Sequence, residues 1–309
     1  MGDLGAAFRR GRLTMSAEGH VPAPPGDFIL AFDLPVVGVR GRLVRLDETS
    51  ARALSAHTLP EAASRVLGET LSLAVLLGTA LKLDGRLTVQ TKSDGKLDLV
   101  AADYYGADDN KPRGVRGFAR LEGETAANDF ATLAGKGTLA ITIEPRSGGQ
   151  TYQGFVELSP QGIAASAETY FAQSEQLPTA LRLAAAAVFE PGKPAPAWRA
   201  GGIMLQVTPD AKRSDDDWDR LTMILKTVED IELVDTALPA ETLLWRLFNE
   251  DEVRVMPAEP VAFRCDCDKE RIAAVLKSYS AEERAGLADP DGLIRARCEF
   301  CGTVHEIEA

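Results

Sequence analysis

The stretch FRCDCDKE, residues 263–270, carries two cysteines one residue apart, Cys265 and Cys267. The other two cysteines of the chain, Cys298 and Cys301, stand in RCEFCGTVH, residues 297–305. The 264 residues before Cys265 contain none. Two such pairs, thirty residues apart, form a four-thiol zinc pattern. Zinc takes four ligands tetrahedrally and favours thiolate sulfur, and a fold that brings two pairs together supplies them. An iron–sulfur cluster would use the same four ligands and is the lesser alternative. Gly302 suits the tight corner after the second pair. His305 is a spare donor and reads as a solvated surface residue, because four thiolates already fill the sphere.

Between the pairs, DKERIAAVLKSYSAEERAGLADPDGLIRAR predicts a helix over 269–278, a second helical turn and a turn at DPDG. A module this poor in large apolar residues is held by metal rather than by burial. The plain reading is a structural zinc. The sharper reading is a redox switch, because zinc-bound sulfurs stay deprotonated and thiolates are the form that oxidants attack. Losing the metal would remove roughly 10–16 kcal/mol from the module. Arg264, Lys269, Arg295 and Arg297 flank the ligands; they either offset the thiolate charge or form a solvated charged surface.

With 309 residues, the chain has room for two domains at about 150 residues each. A hydrophobic content of 45% supports a sizeable core, and a net charge of -12 argues against a binder of nucleic acid or anionic membrane. Residues 1–27 read as a flexible tail without the apolar run of a signal peptide. The longest apolar stretch, LSLAVLLGTALKL (71–83), falls short of the ~20 residues a membrane span needs. The expected location is therefore the cytoplasm, where thiols stay reduced and clustered cysteines bind metal or sense oxidation.

The rest of the chain predicts an α+β fold whose N-terminal body, 28–189, is a mainly antiparallel sheet with helices. Residues 28–46 read as two short strands, and 59–83, opening at Pro60, as a long buried helix. Hairpins are expected around Asp94-Gly95 and Ser147-Gly148-Gly149, with a further strand at 114–121. Residues 163–176 read as a helix with Ile163, Ala167, Tyr170 and Phe171 on one side, and 180–189 reads equally as strand or short helix. The Pro- and Gly-rich stretch 190–202 breaks regular structure and marks a boundary. A linker region, 190–250, follows. There Trp218, Leu221, Leu225 and Val228 recur at helical spacing, and 238–251, with Leu244 and Trp245, forms a second amphipathic helix. Such short charged helices are marginal alone and must dock on something. The zinc-binding module is expected over 251–309.

These cysteine pairs close to the C-terminus resemble the signature of the 33 kDa chaperonin family, the bacterial redox-regulated heat-shock holdases. Further segments resemble that family in the same order: LKLDGRLTVQ (81–90), RGVRGFAR (113–120), TYQGFVEL (151–158), YFAQSEQLPT (170–179), GGIMLQV (201–207) and LLWRLFNEDEVRV (243–255). The resemblance implies that Cys265, Cys267, Cys298 and Cys301 are zinc ligands and sensors at once. It implies disulfides Cys265–Cys267 and Cys298–Cys301 on oxidation, zinc release, and unfolding of a metastable linker. It further implies binding of unfolded client proteins, without ATP, and a homodimer when oxidised. Trp218, Leu221, Leu225, Leu244 and Trp245 are the candidate client contacts, with ordinary packing as the alternative.

An enzyme is the first competing reading. His20, His57 and His305 read as structural or solvated, and the chain has neither a G-x-S-x-G elbow nor a G-x-x-x-x-G-K-[ST] phosphate loop. A zinc ribbon that binds nucleic acid is the second. Against it, Tyr279 and Phe300 are the only aromatics in the zinc segment able to stack on bases, and the charge around them is mixed to acidic. The expectation is a chaperone with no catalytic turnover, no nucleic-acid partner and no membrane partner.

Overall fold

The computed structural model describes residues 13–15, 26–189, 192, 196–209 and 214–308. The chain begins with β1 (Leu13–Met15), β2 (Phe28–Leu34) and β3 (Val39–Leu46), then α1 (Glu48–Ser55) and α2 (Glu61–Ala80). Next come β4 (Gly85–Ser93), β5 (Leu99–Tyr105), β6 (Gly114–Arg120), α3 (Phe130–Ala134), β7 (Gly137–Pro145) and β8 (Tyr152–Glu157). Helix α4 (Ile163–Tyr170) runs into a π-helical turn at Phe171–Glu175, followed by β9 (Thr179–Val188) and β10 (Ala197–Val207). Then come α5 (Asp215–Lys226), α6 (Asp230–Val234) and α7 (Ala240–Phe248). Short strands β11 (Val253–Val255), β12 (Glu259–Pro260) and β13 (Ala262–Phe263) lead to α8 (Lys269–Leu276) and α9 (Ala281–Leu287). The hairpin β14 (Leu293–Arg297) and β15 (Val304–Glu308) closes the described chain.

One sheet has the order β1-β11-β2-β3-β10-β9, with β12 also on β2; the second has the order β13-β6-β5-β4-β7-β8. Pairing is antiparallel except for β1 with β11 and β13 with β6. Helix α2 fills the space between the sheets. Its residues from Thr70 to Thr79 are all buried, so no amphipathic stripe shows in its sequence. It shares one apolar core with Ile29, Val44 and Met204 of the first sheet and with Leu87, Val100 and Ile141 of the second.

The other face of the first sheet carries a second core. Phe28, Leu30, Phe32 and Leu34 alternate along β2, so the period of two sends all four to one side. Leu43 on β3 and Ile203 and Leu205 on β10 join them. The cover is α5, α6 and α7, which contribute Leu221, Leu225, Leu233, Leu243, Leu244 and Phe248. These helices start well but gain their stability from this face. Ser214 caps α5 in a reciprocal box with Asp217, and three aspartates stand in the first turn. Arg45, buried in the first sheet, donates to the main-chain carbonyls of Leu238 and Glu232. Arg182 does the same to Val228 at 3.0 Å and pairs with Asp230 at 2.6 Å.

Three boundaries differ from expectation. Of residues 180–189, all but Phe189 lie in strand β9, and the sheet continues past the expected break into β10, which lies between β3 and β9. The glycines that signalled a break serve close approach instead: a Cβ on Gly201 would lie 2.5 Å from the Leu233 carbonyl oxygen of α6. At the other end, β11, β12 and β13 belong to the two large sheets, so the separate C-terminal piece begins after Phe263 rather than at 251. Within the tail, the backbone of Leu13–Met15 pairs with β11; the rest of 1–25, His20 included, lies outside the described residues. No helix of the described residues is long and apolar enough to cross a membrane.

Phe248 packs on Phe32 with ring centroids 5.8 Å apart at the base of the cover. Phe248→Ala is expected to cost about 3–5 kcal/mol. The loss should appear as a lowered urea midpoint together with faster protease cleavage within α5–α7.

Candidate metal centre

The first cysteine pair is placed by the body of the protein. Strand β13 pairs with β6, and the Arg264 N–H continues the ladder to the Val115 carbonyl at 3.1 Å, so Cys265 and Cys267 leave the sheet edge at once. The second pair lies in the turn of the β14–β15 hairpin. There the Cys298 N–H donates to Thr303 O and the Gly302 N–H to Cys298 O, both at 2.8 Å. Gly302 has φ 71, a left-handed conformation that glycine adopts without strain. Helices α8 and α9 bury no residue, and in this module the buried apolar side chains among the described residues are Ile294 and Ile307, paired across the hairpin.

All four sulfurs lie within 4.8 Å of one another. The closest approaches run between the loops, Cys265 to Cys298 at 3.7 Å and Cys267 to Cys301 at 3.5 Å. A tetrahedral ion with sulfur at about 2.3 Å sets its ligands about 3.8 Å apart, so the cluster is the right size for a four-coordinate metal ion. The thiols differ in acidity. Burial pushes Cys267 well up, and the adjacent thiols add to this; burial also raises Cys265. Burial alone would raise Cys301 too, but the Thr303 hydroxyl and N–H and the neighbouring thiols hold it at about 6. The metal-free cluster therefore favours a thiolate at Cys301 beside the raised thiols of Cys267 and Cys265, and a cation would favour ionisation of those two.

His305, expected to be solvated, is half-buried, with Nε2 3.4 Å from the Cys267 sulfur. It follows Cys301 by four residues on β15, and the antiparallel register turns it back toward the cluster. The flanking charges are also occupied differently from the expectation. Arg295 pairs with Asp289, Asp291 and Glu306, Arg264 with Asp108 and Asp266, and Arg297 donates to the Ala56 carbonyl, while Lys269 is exposed.

The cation that touches a sulfur comes from the body. Arg116 on β6 places NH1 3.7 Å from Cys265 Sγ and grips Asp103 through Nε at 2.9 Å and NH2 at 2.8 Å. Burial alone would lower its pKa, but Asp103 and the sulfur more than offset this and hold it above the ordinary arginine value. Its guanidinium lies 3.9 Å from the Phe300 ring centroid, and Phe300 meets Phe118 edge-on at 4.8 Å. The module is thus docked on the second sheet and its loops by Arg116, the Phe118–Phe300 pair and the Lys111–Asp266 ion pair, and on the end of α1 by Arg297 at Ala56. His57 sits behind this contact, and burial lowers its pKa.

Of the candidate client contacts, Leu221, Leu225 and Leu244 are buried in the second core. Trp218 packs at its edge, and Trp245 faces outward with 53% exposure. Arg116→Ala would leave the Asp103 carboxylate, with a side chain only 6% exposed, without its cation. The expected cost is about 3–5 kcal/mol. Limited proteolysis of the metal-loaded variant should cut within 264–308 sooner than in the parent.

Comparison with known proteins agrees with this architecture. The family model described as Hsp33 protein matches residues 27–308. The 33 kDa chaperonin of Caulobacter vibrioides is 38% identical over 293 residues, covering 91% of this chain and 95% of its own. That of Escherichia coli strain K12 is 41% identical over 272 residues, covering 88% of each chain. The crystal structure of a 33 kDa chaperonin, a heat shock protein 33 homolog from Thermotoga maritima, shares the fold. It has a TM-score of 0.74 and 22% identity, and the match covers 91% of this chain and 94% of that one. With its matched region running from the first strand of the body through the four-cysteine module to residue 308, the chain belongs to the Hsp33 family.

Proposed function

We propose that the protein is a redox-regulated, ATP-independent holdase chaperone of the cytoplasm, with zinc held by Cys265, Cys267, Cys298 and Cys301. One juxtaposition supports this reading above all. The four sulfurs converge in a module with almost no core of its own, and the three helices just before it cover a large apolar sheet face. Bound zinc supplies the charge and the cross-link that keep four thiolates together. Everything else is done by the chain. Arg116 and Phe300 seat the module, and the seated module anchors the β11–β13 segment that follows α7.

Oxidation acts on the sulfurs in pairs. Two thiolates lose two electrons as one S–S bond forms; hydrogen peroxide accepts them and, with two protons, leaves as two waters. The proposed pairs are Cys265–Cys267 and Cys298–Cys301, although the shortest distances in the folded cluster run between the loops. Once the ligand set is broken the module loses its main support, and cysteines two or three residues apart keep a high effective concentration whether or not it is folded. Undocking releases α5–α7 and exposes Phe28, Leu30, Phe32 and Leu34 together with Leu221, Leu225, Leu244, Trp218 and Trp245. These apolar side chains bind unfolding or oxidatively damaged clients, and the same surface supports a homodimer of the oxidised protein. No catalytic turnover, nucleic acid or membrane enters the scheme.

The test treats reduced, zinc-loaded protein with hydrogen peroxide at mildly raised temperature. Zinc release is followed with a colorimetric chelator while light scattering reports aggregation of a heat-unfolded client. Zinc release followed by suppressed aggregation, reversed by dithiothreitol, is the expected result; release without suppression would leave a structural clasp and sink the proposal. Peptide mapping of the oxidised protein should find the two local disulfides.

Cys298→Ser tests the coupling without oxidant. The variant should bind zinc more weakly and lose protease resistance across residues 215–248. Native-like resistance there would separate the metal module from the cover.

A further inference from the structure

Beyond the C-terminal end of α2, between the two sheets, lies a cavity of about 440 Å³ that the chaperone reading does not use. The first sheet supplies Ile29, Ala31, Arg42 and Glu259, and the second supplies Tyr104 with the β5–β6 loop. The charges around it do not cancel. Glu259 is paired with Arg113, and Asp84 with Arg146 at 2.7 Å, so both carboxylates of the described lining are taken. Arg42 and Lys82 remain, and the side chain of neither has a hydrogen-bond or ion-pair partner among the described residues. Glu259 acts on Arg42 only from a distance, and so does Asp33, which stands opposite Arg40 across the β2–β3 register.

Arg42 is half-buried, and burial pushes its pKa down from the ordinary arginine value, yet a guanidinium stays charged in proteins. A charge withdrawn from water without a counter-ion is costly. Tyr104 adds a second unused donor. Its ring is 3% exposed and packs on α2 at Gly78, where a side chain would collide with it, while its hydroxyl makes no hydrogen bond among the described residues.

We infer that this cavity binds a small organic carboxylate, with Arg42 and Tyr104 as donors to its oxygens and Ile29, Ala31 and Leu83 beneath its apolar body. One free guanidinium fork matches a single carboxylate, and the apolar floor selects an organic acid over a bare inorganic anion. Ligand pockets begin near 300 Å³, so this one suits an acid whose body is about one ring in size. Lys82 stands at the mouth, at φ 48 in the turn that ends α2. There the Leu83 N–H donates to the Gly78 carbonyl and the Lys82 N–H to that of Thr79, both at 3.1 Å. These bonds occupy carbonyls at the negative end of the helix that would otherwise disfavour an anion. Because α2, both sheets and β12 share the lining, a bound acid stabilises the body where β12 joins it.

The test is isothermal titration of benzoate into the reduced, metal-loaded full chain, with benzamide as its uncharged counterpart. Benzoate is expected to bind and to raise the thermal midpoint, and benzamide to bind about tenfold more weakly or worse. Arg42→Met should abolish benzoate binding without lowering the thermal midpoint of the unliganded protein, because it removes an uncompensated charge from partial burial. Lys82→Gly suits the left-handed backbone, should weaken binding severalfold, and keeps the site testable if Arg42→Met fails to fold. Lys277→Ala, on the C-terminal module, should change nothing. The carboxylate belongs either to a free acid or to the end of a polypeptide chain. N-acetylphenylalanine binding more tightly than benzoate would assign the chain end; weaker binding would assign the free acid. The proposal falls if millimolar benzoate gives neither heat nor a thermal shift, or if benzamide binds as tightly. It falls equally if Arg42→Met and Lys82→Gly both bind benzoate as the parent does.

Discussion

Four sulfur atoms within 4.8 Å of one another are the constraint on which the C-terminal module after Phe263 depends. Left to themselves the thiols cannot all ionise: Cys267 is pushed up by burial and its neighbours while Cys301 is held at about 6. A bound cation would remove that conflict and replace the core that Ile294 and Ile307 alone do not provide. The module is therefore conditional on its ligands, while the body, with α2 buried between two sheets, is not.

Conditional and unconditional parts meet at two kinds of contact. On one side the module rests on the second sheet through Arg116, which touches Cys265, Phe300 and Asp103 at once. On the other, α5–α7 rest on the first sheet through a continuous apolar core and through Arg45 and Arg182, which donate to their main chain. The cover is therefore far better attached than the module. Detaching it would take more than the loss of one docking contact, because the apolar core under it is independent of the sulfurs.

The four-cysteine cluster was legible because the spacing within each pair is a local property: two short loops carry all four cysteines. The two strands over 28–46, the buried character of α2 and the hairpins around Asp94-Gly95 and Ser147-Gly148-Gly149 were legible for the same reason. The boundaries were not. Gly201 read as a breaker because its role, a close approach of α6 to the sheet, depends on a partner more than thirty residues away. Arg116 stands 149 residues from the sulfur it touches, and nothing in GVRGFAR distinguishes it from an exposed strand arginine. His305 looked solvated until the β14–β15 register placed it beside Cys267.

The sequence by itself determined the two cysteine pairs, the α+β class, the buried central helix and the amphipathic cover helices, because each is written in spacings of a few residues. Only the tertiary structure decided which sheet face the three helices cover, that β11–β13 join the two large sheets, and which arginine meets the sulfur. Those are matters of long-range packing and charge, where the energy of a side chain depends on atoms that its neighbours in sequence do not supply.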